Sequence, residues 1–126
     1  MIPVDQEFFY DTDEINDGSK IGDCVRAVTA SILELSIKEV PHFVKDQPGS
    51  DWYDTWEKFM IDRGITPILL AGPWVVTPKP VGYYLASGPV KRGGKHIVIM
   101  WDGKVAHDPH PSRAGLESIE GIWILK

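Results

Sequence analysis

The apolar positions of this chain change their period near Gly64, and the change divides the sequence into a helical part and a sheet part. From Cys24 the residues Val28, Ile32, Leu33 and Leu35 recur at helical spacing beside the small Ala27 and Ala30, and Pro41 closes the stretch. This predicts a first helix over roughly 24–35, with Asp23 as its cap signal and a short turn over 36–40. Asp51 opens a second helix, on which Trp52, Trp56, Phe59 and Met60 share one face and read as core, and Gly64 supplies a left-handed stop. Beyond it come short β-like runs separated by Gly and Pro, over 66–70, 82–86, 96–101, 104–108 and 121–125. Helices first and strands afterwards predict an α+β domain, its N-terminal helices packed on a C-terminal antiparallel β-sheet.

Before Cys24 neither period holds. Residues 1–20 are acidic and turn-rich, with Asp5, Glu7, Asp11, Asp13, Glu14 and Asp17 against Lys20. They predict an extended segment over 2–6, then an acidic loop over 11–19 that is mobile and dispensable for folding, because few apolar residues anchor it.

At 126 residues the chain has the size of one domain, and a single domain over 1–126 is expected. Its net charge of −5 has the wrong sign for neutralising phosphates, so no nucleic-acid partner is expected. No apolar run approaches the ~20 residues of a bilayer span, and the N-terminal residues lack the basic-then-apolar order of a signal peptide. The expectation is a cytoplasmic protein with no membrane partner. Cys24 is the one cysteine, which excludes an internal disulfide and any zinc site needing several thiolates. It is there for packing or for reactivity.

A cysteine at a helix start faces unpaired backbone N–H groups that favour a thiolate and can stabilise an oxyanion. Asp23 adds a like charge beside the sulfur, and Arg26 one turn on opposes it. Among the histidines, His96 has the setting of a base: Gly93-Gly94 precede it as a loop and Ile97-Val98-Ile99-Met100 follow as a strand. Asp108, across the Asp102-Gly103 turn, is the candidate to orient the imidazole. A two-residue turn there sets Asp108 opposite Ile97, on the wrong face. A three-residue loop, Trp101-Asp102-Gly103, sets it opposite His96 and is the expected arrangement. His107 and His110 flank Asp108, but no second cluster supplies further ligands, so no metal is expected.

Gly22-Asp23-Cys24 opening a helix, Lys95-His96-Ile97-Val98 opening a strand, and His107-Asp108-Pro109 after a hairpin resemble the Cys, His, Asp order of the papain-like cysteine hydrolases. The small bacterial and phage members similar to bacteriocin-leader (double-glycine) peptidases are the nearest match. The resemblance implies a papain-like fold, a bacterial or phage source, no cofactor, and a Gln ahead of the Cys that donates to the oxyanion. The family's spacing would put that Gln at position 18, which is Gly18 here. Gln6 takes the role if the acidic loop is an insertion. Losing such a donor costs roughly 10²–10³ in rate.

These readings converge on hydrolysis or acyl transfer at an amide or thioester of a peptide, protein or small amide, through an acyl-enzyme on Cys24. His96 is the base and then the acid, Asp108 its orienter, and Gln6 the oxyanion donor. Trp74 in the Pro-rich connector, Lys95 in the basic stretch Lys91-Arg92-Lys95, and Asp23 are the candidate substrate contacts. The rival class is a papain-like binding module without catalysis, to which the distant Gln and the acidic Asp23 are suited.

Overall fold

The computed structural model describes residues 1–8, 22–46, 51–71, 80–91 and 93–126. The expected acidic loop over 11–19, together with Trp74 and Arg92, lies outside them.

Helix α1 (Cys24–Leu33) begins where the pattern places it, its first internal bond running from the Ala27 N–H to the Asp23 carbonyl at 3.0 Å. It stops short of Leu35 because Glu34 turns left-handed at φ 58°, and the Leu35 N–H then closes on the Ala30 carbonyl at 2.9 Å. Asp23 precedes the helix without capping it through its side chain, contrary to expectation. The expected turn over 36–40 is a 3₁₀ turn (Ile37–Glu39); the four-residue α2 (Phe43–Asp46), which the pattern does not disclose, precedes α3 (Asp51–Ile61). Gly64, at φ 87°, ends the turn after α3, with the Ile65 N–H donating to the Met60 carbonyl at 3.0 Å.

Each β-like run becomes a strand: β1 (Pro67–Ala71), β2 (Tyr83–Pro89), β3 (Lys95–Trp101), β4 (Lys104–His107) and β5 (Gly121–Leu125). They form an antiparallel sheet in the order β1-β5-β2-β3-β4. The fold is therefore α+β. Period-2 alternation sends Leu85, Ile97 and Ile99 to the helical face, where they pack with Val28, Phe43, Trp56 and Met60. The opposite face carries Tyr84, Ala86, Val98, Met100 and Ile122, covered by Leu116 and Ile119 of the long β4–β5 connection. Burial on both faces explains why residues 96–100 read as a continuous apolar run after His96. Gly88 admits that connection: a Cβ there would stand 1.8 Å from the Ser118 carbonyl oxygen.

No helix among the described residues is long and apolar enough to cross a membrane.

Candidate active site

β3 presents His96 at its start, 4% exposed, and its Nε2 lies 2.6 Å from Asp108 Oδ1. The hairpin that joins them differs from the expected one. Asp102 and Gly103, at φ 50° and 76°, form a two-residue turn with both residues left-handed, so Trp101 pairs with Lys104 and Met100 with Val105. Continued in that register, Asp108 would face away from His96. A bulge between Met100 and Ile99 intervenes, and Ile99 pairs with His107. One inserted residue exchanges the faces of all that follow, which brings Asp108 to the side of His96. The expected three-residue loop is thus replaced by a tight turn and a bulge, with the same two side chains in contact.

Asp108 is 2% exposed and fully engaged. Burial raises its pKa, but the hydrogen bonds from His96 and from the His110 and Gly115 N–H groups, at 2.9 and 2.8 Å, outweigh it and hold the carboxyl below its ordinary value. An ionised Asp108 accepts only, so His96 donates through Nε2, and the nitrogen that would exchange a proton with a nucleophile is Nδ1. The His110 ring stands edge-on to that of His96 at 6.2 Å.

Cys24 opens α1 and is partly accessible. Burial pushes its thiol up to about 11, although the N–H groups of Ile97, Val25 and Cys24 itself favour the anion, and the Asp23 charge adds to the rise. The expected lowering by the helix start is overridden because desolvation exceeds what the amides return. Arg26 faces the Asp23 charge as expected, its Nη1 standing 3.5 Å from Asp23 Oδ2. Its Nε donates to the Val40 carbonyl at 2.7 Å and its Nη1 to Glu7 at 3.1 Å. The Ile97 amide at the sulfur sets Cys24 beside the His96–Ile97 peptide bond.

The N-terminal segment reaches the same place. Asp23, 1% exposed, accepts the Glu7 and Phe8 N–H groups, and the Gln6 N–H donates to the Pro109 carbonyl at 3.1 Å. Asp23 is accordingly no substrate contact but an anchor turned inward. Gln6, 7% exposed, lines one cavity with Cys24 and His96. Its Nε2 donates to the Phe8 carbonyl at 2.7 Å, and its Oε1 is buried without a hydrogen-bond partner.

Arg113 joins the N-terminal segment to the backbone of Asp108, a link that no motif in the sequence discloses. Its guanidinium grips Asp5 Oδ1 and Oδ2 at 2.6 and 2.8 Å and also donates to the Asp108 carbonyl. Asp5 lies 108 residues before it, which leaves no spacing signal in the sequence. His107 turns to the N-terminal segment instead, its Nε2 donating to the Val4 carbonyl at 2.9 Å. Lys95 stands at the cavity rim, 3.4 Å from Glu120. Trp52, expected in the core, is half-buried on the cavity wall, whereas Trp56 is buried at 1% exposure.

Among the described residues no three His, Cys, Asp or Glu side chains converge on a metal position. Comparisons with protein-family models, with curated proteins and with solved structures find no match to this chain.

Proposed function

We propose that the protein is a thiol-dependent hydrolase or acyl transferase acting on an amide or thioester bond, with a papain-like arrangement of Cys24, His96 and Asp108. The observation that carries the reading is the buried His96–Asp108 pair at 2.6 Å, whose His96 lines one cavity with Cys24. A buried carboxylate aligned on an imidazole beside a helix-start cysteine supplies nucleophile, base and orienter together.

Because the thiol is neutral at physiological pH, His96 acts as a general base during attack rather than as the standing partner of a thiolate. The Cys24 sulfur bonds to the substrate carbonyl carbon while its proton passes to His96 Nδ1. The carbonyl oxygen becomes an oxyanion, held by the Cys24 N–H at the start of α1. Collapse expels the amine or thiol, which takes the proton from His96, and leaves an acyl-enzyme. Water or an acceptor nucleophile, deprotonated by His96, then bonds to the acyl carbon; the carbon–sulfur bond breaks, and the leaving Cys24 sulfur takes the proton back from His96. Asp108 fixes the tautomer and stabilises the imidazolium at each step. Gln6 would complete the oxyanion site by turning its amide from the Phe8 carbonyl.

The rival reading, a papain-like module that binds without catalysis, is favoured by the raised thiol and by the engagement of Gln6 Nε2 with Phe8. Intact-mass spectrometry of the whole protein with a peptide and thioester library separates the two. An acyl adduct on Cys24 with product release, lost in Cys24→Ala and slowed at least ~10²-fold in His96→Ala, is the expected result. Binding with neither adduct nor product would establish the module.

A further inference from the structure

Beside Cys24 lies a cavity of about 660 Å³, within the range of small-ligand sites. Its wall is aromatic. Trp52, Tyr53 and Trp56 of α3 and Trp123 of β5 form an edge-to-face chain, with successive centroids 5.7, 5.5 and 6.0 Å apart. Two of the three indole N–H groups of this wall are used inside the protein: that of Trp56 donates to the Thr29 hydroxyl and that of Trp123 to the Tyr53 hydroxyl, each at 2.9 Å. What the wall offers a guest is ring surface.

The room comes from the sheet beneath. Leu69, Trp123, Leu85 and Ile99 form one cross-strand row on the helical face, buried at Leu85 and Ile99 and open at Leu69. In the neighbouring row Ile97 pairs with Ser87 and Ser87 with Gly121, and these last two are too small to reach the helices. Ser87, which lines the cavity with Cys24, thus carries no apolar bulk at a position that alternation assigns to the core. Lys95 is the one side chain of fixed charge on the described lining, and it is three-quarters exposed at the rim. A charged guest would lose its hydration without a buried partner.

We propose that this cavity receives a bulky apolar group, an aromatic ring before an aliphatic one, adjoining the carbonyl that Cys24 attacks, so that the substrate is a peptide or amide carrying such a residue beside the reacting bond. The proposal rests on Cys24 being the nucleophile. It makes Trp52, Leu69 and Ser87 the residues that set specificity.

The test alkylates the full-length protein with iodoacetamide and with its N-benzyl derivative. In both, a sulfur–carbon bond forms, iodide leaves, and the thiol proton goes to buffer. The ratio of the two second-order rate constants is compared with the ratio for free glutathione. The expected preference for the benzyl reagent is at least about tenfold above that of glutathione, the lower end of what burying a phenyl ring gives. Ser87→Leu, which fills the floor, and Leu69→Lys, which charges the rim, should bring the ratio back toward that of glutathione, with far-ultraviolet circular dichroism showing the fold intact. Should Ser87→Leu not fold, Leu69→Lys at the exposed rim decides alone. A wild-type ratio equal to that of glutathione, or a preference untouched in a folded variant, overturns the proposal. Selective alkylation with no Cys24-dependent turnover of the peptide library would keep the pocket and remove the hydrolase. Cys24-dependent turnover indifferent to Phe, Tyr or Leu beside the bond would do the reverse.

Discussion

One carboxylate oxygen, Oδ1 of Asp23, accepts the backbone N–H groups of both Glu7 and Phe8 at 2.9 Å. The residue immediately before Cys24 therefore holds the N-terminal segment that contains Gln6, while its own carbonyl receives the first hydrogen bond of α1. Helix start and N-terminal segment are set by the same residue, and the position of Gln6 in the cavity follows from Asp23 and from the Arg113–Asp5 clamp.

Removing this anchor leaves two part-buried amides without this partner. Asp23→Ala should destabilise the protein by about 2–4 kcal/mol in urea unfolding, and hydrogen exchange at Glu7 and Phe8 should accelerate. Asp23→Asn keeps an accepting oxygen and should recover most of the loss. Equal losses in both variants would assign the effect to the charge facing Arg26 rather than to the two amides.

The legible part of the fold was the part carried by period. The helix from Cys24, the face of α3 and the strands stand in the sequence because apolar side chains repeat at 3.6 or 2 residues. The cover of the second sheet face does not. Leu116 and Ile119 belong to an irregular connection whose backbone follows β2 through the Glu117 N–H to the Pro89 carbonyl and the Glu120 N–H to the Ser87 carbonyl, contacts that leave no periodic trace. At the site, the Gly-Gly loop and following strand pointed to His96. The route from His96 to Asp108 was misread because a bulge changes parity without changing composition. The inward turn of Asp23 was hidden because its partners are backbone amides, which every sequence supplies.

Asp108 links the site to acid stability. Its folded-state pKa lies below the unfolded value of roughly 3.9. The stabilisation is therefore present above that unfolded value and is lost as pH falls through the folded one. Asp5, lowered by the hydrogen bond from Arg113, acts in the same direction but more weakly, since it is partly exposed. Asp108→Asn should lower stability at pH 7 by about 1–3 kcal/mol and flatten the decline between pH 5 and pH 2, measured by denaturant unfolding across that range. An unchanged slope would place the acid sensitivity elsewhere.

Two glycines of the sheet should respond very unequally to substitution. A Cβ at Gly88 meets the Ser118 carbonyl oxygen at 1.8 Å, a backbone atom of the connection that covers the sheet, whereas at Gly121 the nearest atoms lie 3.5 Å away. Gly88→Ala should cost about 2 kcal/mol or more, because the connection must lift. Gly121→Ala should change stability by less than about 0.5 kcal/mol. Thermal unfolding of both tests the packing of the 108–120 segment, since a benign Gly88→Ala would mean that the segment does not press on the sheet.

The thiol gives the most direct view of the proposed chemistry. With Cys24 pushed up to about 11 by burial, the thiolate fraction near neutrality is small and grows about tenfold per pH unit until the folded pKa is approached. Iodoacetamide alkylation of the native protein should therefore still be accelerating at pH 9, where an ordinary thiol of pKa ~8.5 has begun to level off. The same shift makes the folded state retain a proton that the unfolded state releases. Stability should accordingly be full below the unfolded pKa of ~8.5 and decline as pH rises toward 11, and Cys24→Ala should remove that decline. A rate that levels off below pH 8 would show instead a standing thiolate–imidazolium pair, with His96 already holding the proton before any substrate arrives, and the general-base step would have to be replaced by attack from a preformed anion.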